Sequence, residues 1–244
     1  MIDTHAHINS NTLKNFKEEI IQINNLAYLD KIINVGTDSK NNKEVLKIAA
    51  SFKKFYASLG IHPLYEGNIE DILKLIPNEE ALEKVVAIGE TGLDASSELE
   101  PQKRKFIESI ELANYLRLPI IIHANNTNEL VINLLNDHPP HYGFVFHCFQ
   151  PDLLILEKIQ KKDGYISVGI PITKKTAKKS LEVVKSVSLD HLLIETDYPF
   201  MSRYPTTEGK LIFKKIQELR NLDFEETKTI LDSNAKRLFY KLDK

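Results

Sequence analysis

Six side chains suited to holding a divalent cation stand at the ends of short apolar runs. His5 and His7 follow the first run, Glu90 follows Val85-Val86-Ala87-Ile88, and His123 follows Ile120-Ile121-Ile122. His147 ends Phe144-Val145-Phe146, and Asp197 follows Leu192-Leu193-Ile194. His5 and His7 are one residue apart, so an extended chain turns both imidazoles to one face, about 7 Å apart along the strand. From there both can share one ion. Neutral imidazole is a borderline ligand, and the two carboxylates add hard oxygen ligands. Such a set suits one or two ions of zinc, manganese or magnesium. A lone strand-end histidine commonly serves as a hydrogen-bonded structural residue. Six potential ligands at the same ends of strands form a joint pattern that points to a metal centre and metal-activated water. Glu195 lies two residues before Asp197 on the same face and reads as a support deeper in the fold.

Ligands this far apart in sequence meet only if strand ends converge. Eight apolar runs rich in Val, Ile and Leu, around 2–7, 31–36, 55–60, 85–90, 118–123, 143–148, 165–169 and 191–197, have the character of strands buried on both faces. Segments of helical period separate them. The clearest spans 101–116, with Pro101 in a first turn and Phe106, Ile110, Ala113 and Leu116 on one face. Two more, 208–220 and 225–239, follow the eighth run, the latter opened by Asp223-Phe224-Glu225-Glu226 with acidic residues where the helix dipole favours them. This alternation predicts an α/β fold, a (β/α)8 barrel in one domain over 1–244, with its chemistry at the C-terminal ends of the strands. His138, His141 and His191 precede strands and are expected near the opposite mouth.

The chain has 244 residues, 42% hydrophobic and 27% charged, enough to bury a substantial core. A formal charge of −2 excludes a body coated with basic residues, so an anionic substrate needs local help. Lys174, Lys175, Lys178 and Lys179 follow the seventh run and read as a solvated helix face. Cys148 is the only cysteine, which excludes an internal disulfide and a thiolate-caged zinc. The start, Met1-Ile2-Asp3-Thr4-His5, has no basic and apolar leader, and no stretch approaches a membrane span. These features predict a soluble cytoplasmic protein without a membrane partner.

Asp3-Thr4-His5-Ala6-His7, Gly60-Ile61-His62-Pro63, Gly89-Glu90-Thr91-Gly92-Leu93-Asp94, Phe146-His147-Cys148-Phe149, Glu195-Thr196-Asp197 and Asn234-Ala235-Lys236-Arg237-Leu238-Phe239 span nearly the whole chain. Together they resemble the TatD family of metal-dependent deoxyribonucleases. The resemblance implies a (β/α)8 barrel, metal ligation by His5, His7, Glu90, His123, His147 and Asp197, and Glu90 as the bridge between two ions. It implies a nucleic acid substrate, single-stranded DNA. The chain departs from the family in three loops. Ala124-Asn125-Asn126 replaces Ser-Arg-Asp and removes a cation; Gln150-Pro151 replaces Ser-Gly and removes a backbone donor. The loop 202–210 is shorter than its basic counterpart.

The expected reaction is phosphodiester hydrolysis by metal-activated water, with Asp197 orienting and deprotonating the water. His62 is the next candidate, a substrate-binding residue: Pro63 biases it towards an extended conformation from which its ring can donate to a phosphate. Two other readings stand beside this one. The same chemistry hydrolyses esters and amides, as in an aminoacyl-tRNA deacylase; Glu90 stands where many amide-hydrolysing barrels carry a bridging lysine. A binding subunit that keeps metal without turnover is the third reading.

Overall fold

The computed structural model describes residues 1–76, 78–203 and 205–243. Eight strands pair in sequence order, each parallel to the next: β1 (Ile2–Ala6), β2 (Lys31–Val35), β3 (Phe55–Leu59), β4 (Val85–Asp94), β5 (Ile120–Asn125), β6 (Phe144–Phe146), β7 (Tyr165–Val168) and β8 (Leu192–Ile194). The sheet nearly closes on itself where Ala6 bridges Tyr198 and the Asp197 N–H donates to the His5 carbonyl at 2.9 Å. The Thr4 hydroxyl adds a bond to the Ile194 carbonyl. Ten helices, α1 (Phe16–Asn24), α2 (Ser39–Ser51), α3 (Glu70–Leu75), α4 (Glu79–Glu83), α5 (Leu99–Leu116), α6 (Asn128–Asp137), α7 (Leu153–Lys161), α8 (Lys178–Ser186), α9 (Pro205–Arg220) and α10 (Phe224–Leu238), lie between and after the strands among the described residues. This is the (β/α)8 barrel expected from the pattern of apolar runs.

Local chemistry explains the helices that hold the site. Helix α5 buries Phe106, Ile110 and Ala113 and begins at Leu99, with Pro101 in its first turn, where no intrahelical donor is lost. It stops at Arg117 in a left-handed conformation, φ 57°. Asp38 and Asp152 cap α2 and α7 by accepting from backbone N–H groups of the first turn. Helix α10 starts with a capping box between Asp223 and Glu226, worth about 1 kcal/mol per cap. Inside the barrel Ile33, Val35, Ile121, Val145 and Leu193 pack with Phe239 and Leu242 of the C-terminal segment. Period-two alternation continued along the chain then places His123, His147 and Glu195, each two residues further on, on that same inward face.

Several boundaries differ from the sequence expectation. Strand β4 runs on to Asp94, and β5 to Asn125, so Glu90 and His123 lie within strands rather than at their last positions. His7, His147 and Asp197 lie just past theirs. The register between β4 and β5 shifts after Ile88 and resumes at Thr91–Ile122, continuing to Asp94–Asn125. The buried Gln102 of α5 fixes this extension by accepting from the Asp94 N–H at 2.7 Å and donating to the Asp94 carbonyl at 3.0 Å. In the loop 202–210, Tyr204 lies outside the described residues, and α9 begins at Pro205, three residues before the expected 208.

Candidate metal centre

The barrel brings all six sequence-predicted ligands together, with His62 beside them, around a cavity of about 240 Å³ whose wall includes His7, His62, Glu90, His123, His147 and Asp197. His5, His7 and Glu90 are 1–3% exposed, so their polar atoms have little water to turn to. The donors gather at two foci, one on each oxygen of Glu90. Oε2 lies 3.6 Å from His5 Nε2 and 3.3 Å from His7 Nε2, and Asp197 Oδ1 lies 3.4 Å from His7 Nε2. Oε1 lies 2.8 Å from His123 Nδ1, 2.7 Å from His147 Nε2 and 3.5 Å from His62 Nε2. Ligand atoms about 2.0–2.2 Å from a shared ion stand roughly 3.3–3.6 Å apart at tetrahedral angles, close to the separations around Oε2, whereas His123 and His147 approach Oε1 at hydrogen-bond distance.

Ring orientation supports the same fit. His7 Nδ1 lies 3.0 Å from the Val35 carbonyl, which only accepts, so it carries a proton and leaves the Nε2 lone pair pointing at the centre. That atom is 3.0 Å from His5 Nε2. His123 lies between two carboxylates, with Nε2 2.9 Å from Asp94 Oδ2 and Nδ1 2.8 Å from Glu90 Oε1; with an ion at Glu90 the proton would sit on Nε2 and leave the Nδ1 lone pair for the metal. Lone pairs and carboxylate oxygens converging at these distances require positive charge between them. The buried Asp197 Oδ1 and His5 Nδ1 also have no hydrogen-bond partner among the described residues. The donor set therefore fits divalent cations.

Electrostatics separates the histidines. Burial, reinforced by the charge of His147, pushes the His5 pKa down to about 4, and burial brings His62 to about 4. Both imidazoles are thus neutral at pH 7, the form that ligates or donates a single proton. Burial opposes the charge of His7 and His147, but Glu90 outweighs it in both cases, with Glu195 also acting on His147. Burial also raises Glu90, yet the surrounding histidines hold its carboxyl well below the usual range. Asp197 is pushed up to about 7, first by burial.

A layer of supporting groups surrounds the centre. Glu195 accepts from the Cys148 N–H at 2.6 Å and from the Ser167 hydroxyl, and lies 3.8 Å from His147 Nδ1. Cys148 turns aside with φ 43°, and burial pushes its thiol up to about 12, so it is a poor thiolate ligand. Sequence reasoning gave Asp94 no role. Its period-two spacing from Glu90 on one strand was the available signal. The atypical loop residues join it: Asn125 Nδ2 donates to the Asp94 carboxylate, Gln150 Nε2 donates to Asn125 Oδ1 at 2.8 Å, and the Asn126 N–H donates to Gln150 Oε1 at 3.0 Å. Two of the three loop departures are therefore bonded to each other and, through Asp94, to His123. His191 instead pairs with Asp163 before β8, away from the centre.

A family model described as TatD related DNase matches residues 2–240. The chain belongs to the TatD family. It is 36% identical to the metal-dependent hydrolase YabD of Bacillus subtilis over 98% of both chains, and 32% identical to the metal-dependent hydrolase YjjV of Escherichia coli over 98% of this chain and 97% of that one. The crystal structure of the TatD homologue YjjV superposes with a TM-score of 0.86 at 31% identity, covering 98% of each chain. A TatD family hydrolase from Entamoeba histolytica has the same fold, with a TM-score of 0.83 at 20% identity over 99% of this chain and 98% of that one. The protein is thus a metal-dependent hydrolase of the TatD family. No described helix is long and apolar enough to cross a membrane.

Proposed function

We propose that this TatD family member is a deoxyribonuclease that hydrolyses phosphodiester bonds of single-stranded DNA at a centre of one or two divalent ions. The observation that carries the reading is the division of Glu90 between two donor sets: Oε2 faces His5, His7 and Asp197, and Oε1 faces His123 and His147. These six residues would hold magnesium, manganese or zinc, with Glu90 as bridge. Bound metal would neutralise phosphate charge and make hydroxide available at neutral pH. Asp197, with its carboxyl raised to about 7, would orient the attacking water and take its proton.

His62 would bind the phosphate. Its Nδ1 accepts from the Leu64 N–H at 3.2 Å, so the neutral ring carries its proton on Nε2, which borders the cavity beside Glu90 Oε1. A ring held in that tautomer is better placed to donate to a phosphate oxygen than to ligate. The depth of the centre favours a flexible strand: with Glu90 2% and Asp197 7% exposed, a phosphate must enter a recess that a stiff duplex backbone reaches poorly. The family description supports DNA as substrate.

The test incubates metal-reconstituted protein with single-stranded DNA, duplex DNA, RNA and aminoacyl-tRNA, beside chelated protein and a Glu90→Ala variant. Single-stranded DNA should be cut fastest, and both controls should lose at least about 100-fold, the scale of losing one preorganised electrostatic group. Cleavage that survives both controls rejects the metal mechanism. Exclusive turnover of aminoacyl-tRNA assigns the site to ester hydrolysis.

A further inference from the structure

A second cleft, of about 560 Å³, opens beside the metal centre and shares His7, Thr37, Tyr65 and Phe200 with the central cavity. Its size falls within the about 300–1,000 Å³ typical of small-molecule sites. Two aromatic rings stand at the boundary between the two spaces. Phe200 is 63% exposed, its ring edge-on to His7 at 5.1 Å, and Tyr65 is 48% exposed against His62 at 5.4 Å. Two exposed aromatic faces at one boundary offer stacking surface to a planar ligand.

Beside Asp38 and Pro199, the rest of the wall is amide and hydroxyl: Asn9, Asn11, Thr12 and Asn41. Asn9, 2% exposed, commits its Oδ1 to the backbone N–H groups of Asn11 and Thr12, which leaves its Nδ2 as the donor for the cleft. Thr12 braces this turn on the His7 carbonyl at 2.7 Å, tying the cleft wall to a residue of the centre. No lysine or arginine lines the cleft among the described residues; the Lys40 ammonium donates to the lining Asn11 Oδ1 at 3.3 Å. The one charged lining residue, Asp38, is spent on capping α2 and would repel an anion. A phosphate has no seat here. Aromatic faces with neutral donors and acceptors instead match a flat heteroaromatic ring.

We infer that this cleft seats the nucleobase on one side of the scissile phosphate, with the base stacking against both Phe200 and Tyr65 and its edge meeting the asparagine amides. The inference rests on the phosphodiester reading. It gives that reading a grip on substrate outside the metal centre, in a cleft whose described lining holds no lysine or arginine.

The test uses metal-loaded protein and short single-stranded oligonucleotides, intact or with one abasic residue on either side of the cleavage point. Removing the base on one side, and not on the other, should lower kcat/KM by about 5- to 150-fold, the range of one base–aromatic stack. Phe200→Ala and Tyr65→Ala should each shrink that ratio towards one, whatever they do to absolute rates. Phe200→Leu should shrink it as well while keeping apolar bulk for folding. In parallel, quenching of a 2-aminopurine dinucleotide reads stacking without turnover, and should be weakened in both alanine variants. A wild-type ratio near one, or a ratio and quenching unchanged in both variants, overturns the base seat. Quenching that the variants abolish, in a protein that cuts no oligonucleotide, rejects the phosphodiester reading while the seat stands.

Discussion

Substituting Asp94 with asparagine isolates the support of His123 from its direct role. Asp94 Oδ2 accepts from His123 Nε2 at 2.9 Å, and Oδ1 accepts from the Ser96 N–H at 2.9 Å and the Ser96 hydroxyl at 2.6 Å. Burial works against the charge of Asp94, but these bonds and Asn125 hold its carboxyl below the usual range. In Asp94→Asn the two donors from Ser96 keep the remaining oxygen on their side, which turns the new amide N–H towards His123. Two donors cannot share one bond, so the ring must move its proton to Nδ1, the atom that faces Glu90. Partners of metal-binding histidines contribute about 10- to 100-fold to metal affinity or activity, equivalent to about 1.4–2.7 kcal/mol. The expected result is a loss of that size in metal affinity by calorimetry, matched in kcat with KM nearly unchanged. Nitrogen NMR of the His123 ring should show the proton shifted between nitrogens. Affinity and kcat within twofold of wild type, with the ring tautomer unchanged, would refute the positioning role.

Two further perturbations probe the frame. Gly92 has φ +141°, and a Cβ there would lie 2.0 Å from the His123 carbonyl oxygen, so Gly92→Ala should destabilise by at least about 2–3 kcal/mol in urea unfolding and lower metal affinity by displacing β5. A wild-type midpoint would show that the β4–β5 extension yields freely. Lys228 lies 2.8 Å from Asp30 and 2.5 Å from Asp232. Burial opposes both charges, but Asp232 and Asp30 raise Lys228, and Lys228 together with the N-terminal ammonium lowers Asp30, relative to their ordinary values. A raised lysine stabilises fully below its unfolded pKa near 10.4, and a depressed aspartate above about 3.9, so the contribution is present between those limits and lost in acid as Asp30 protonates. Both groups are at least one-third exposed and screened, so Lys228→Met should cost under about 1 kcal/mol at pH 7, less at pH 3.5 and less in 1 M salt. An equal cost under all three conditions would assign the effect to packing.

The pattern of apolar runs was enough to read the barrel. Strands covered by helices on one side and packed against each other on the other must be apolar on both faces, and Ile120-Ile121-Ile122 or Leu192-Leu193-Ile194 carries that requirement in composition alone. Each of His5, His7, Glu90, His123, His147 and Asp197 could likewise be singled out, because a polar residue at the end of such a run interrupts an otherwise unbroken signal. Sequence could not say which atom of each ring or carboxylate faces the centre. The split of Glu90 between two histidine sets arises where residues from β1, β4, β5 and the end of β6 meet, and the tautomer of His7 depends on the Val35 carbonyl of the neighbouring strand. Nor could it join Asn125 to Gln150, or Asn9 to Phe200, which are separated by long stretches of chain and meet only when the barrel closes. Residue type and period are local properties of the chain and survive in a one-dimensional reading. Tautomer, shared protons and the walls of a cleft are set by partners from distant segments, and only the folded arrangement supplies them.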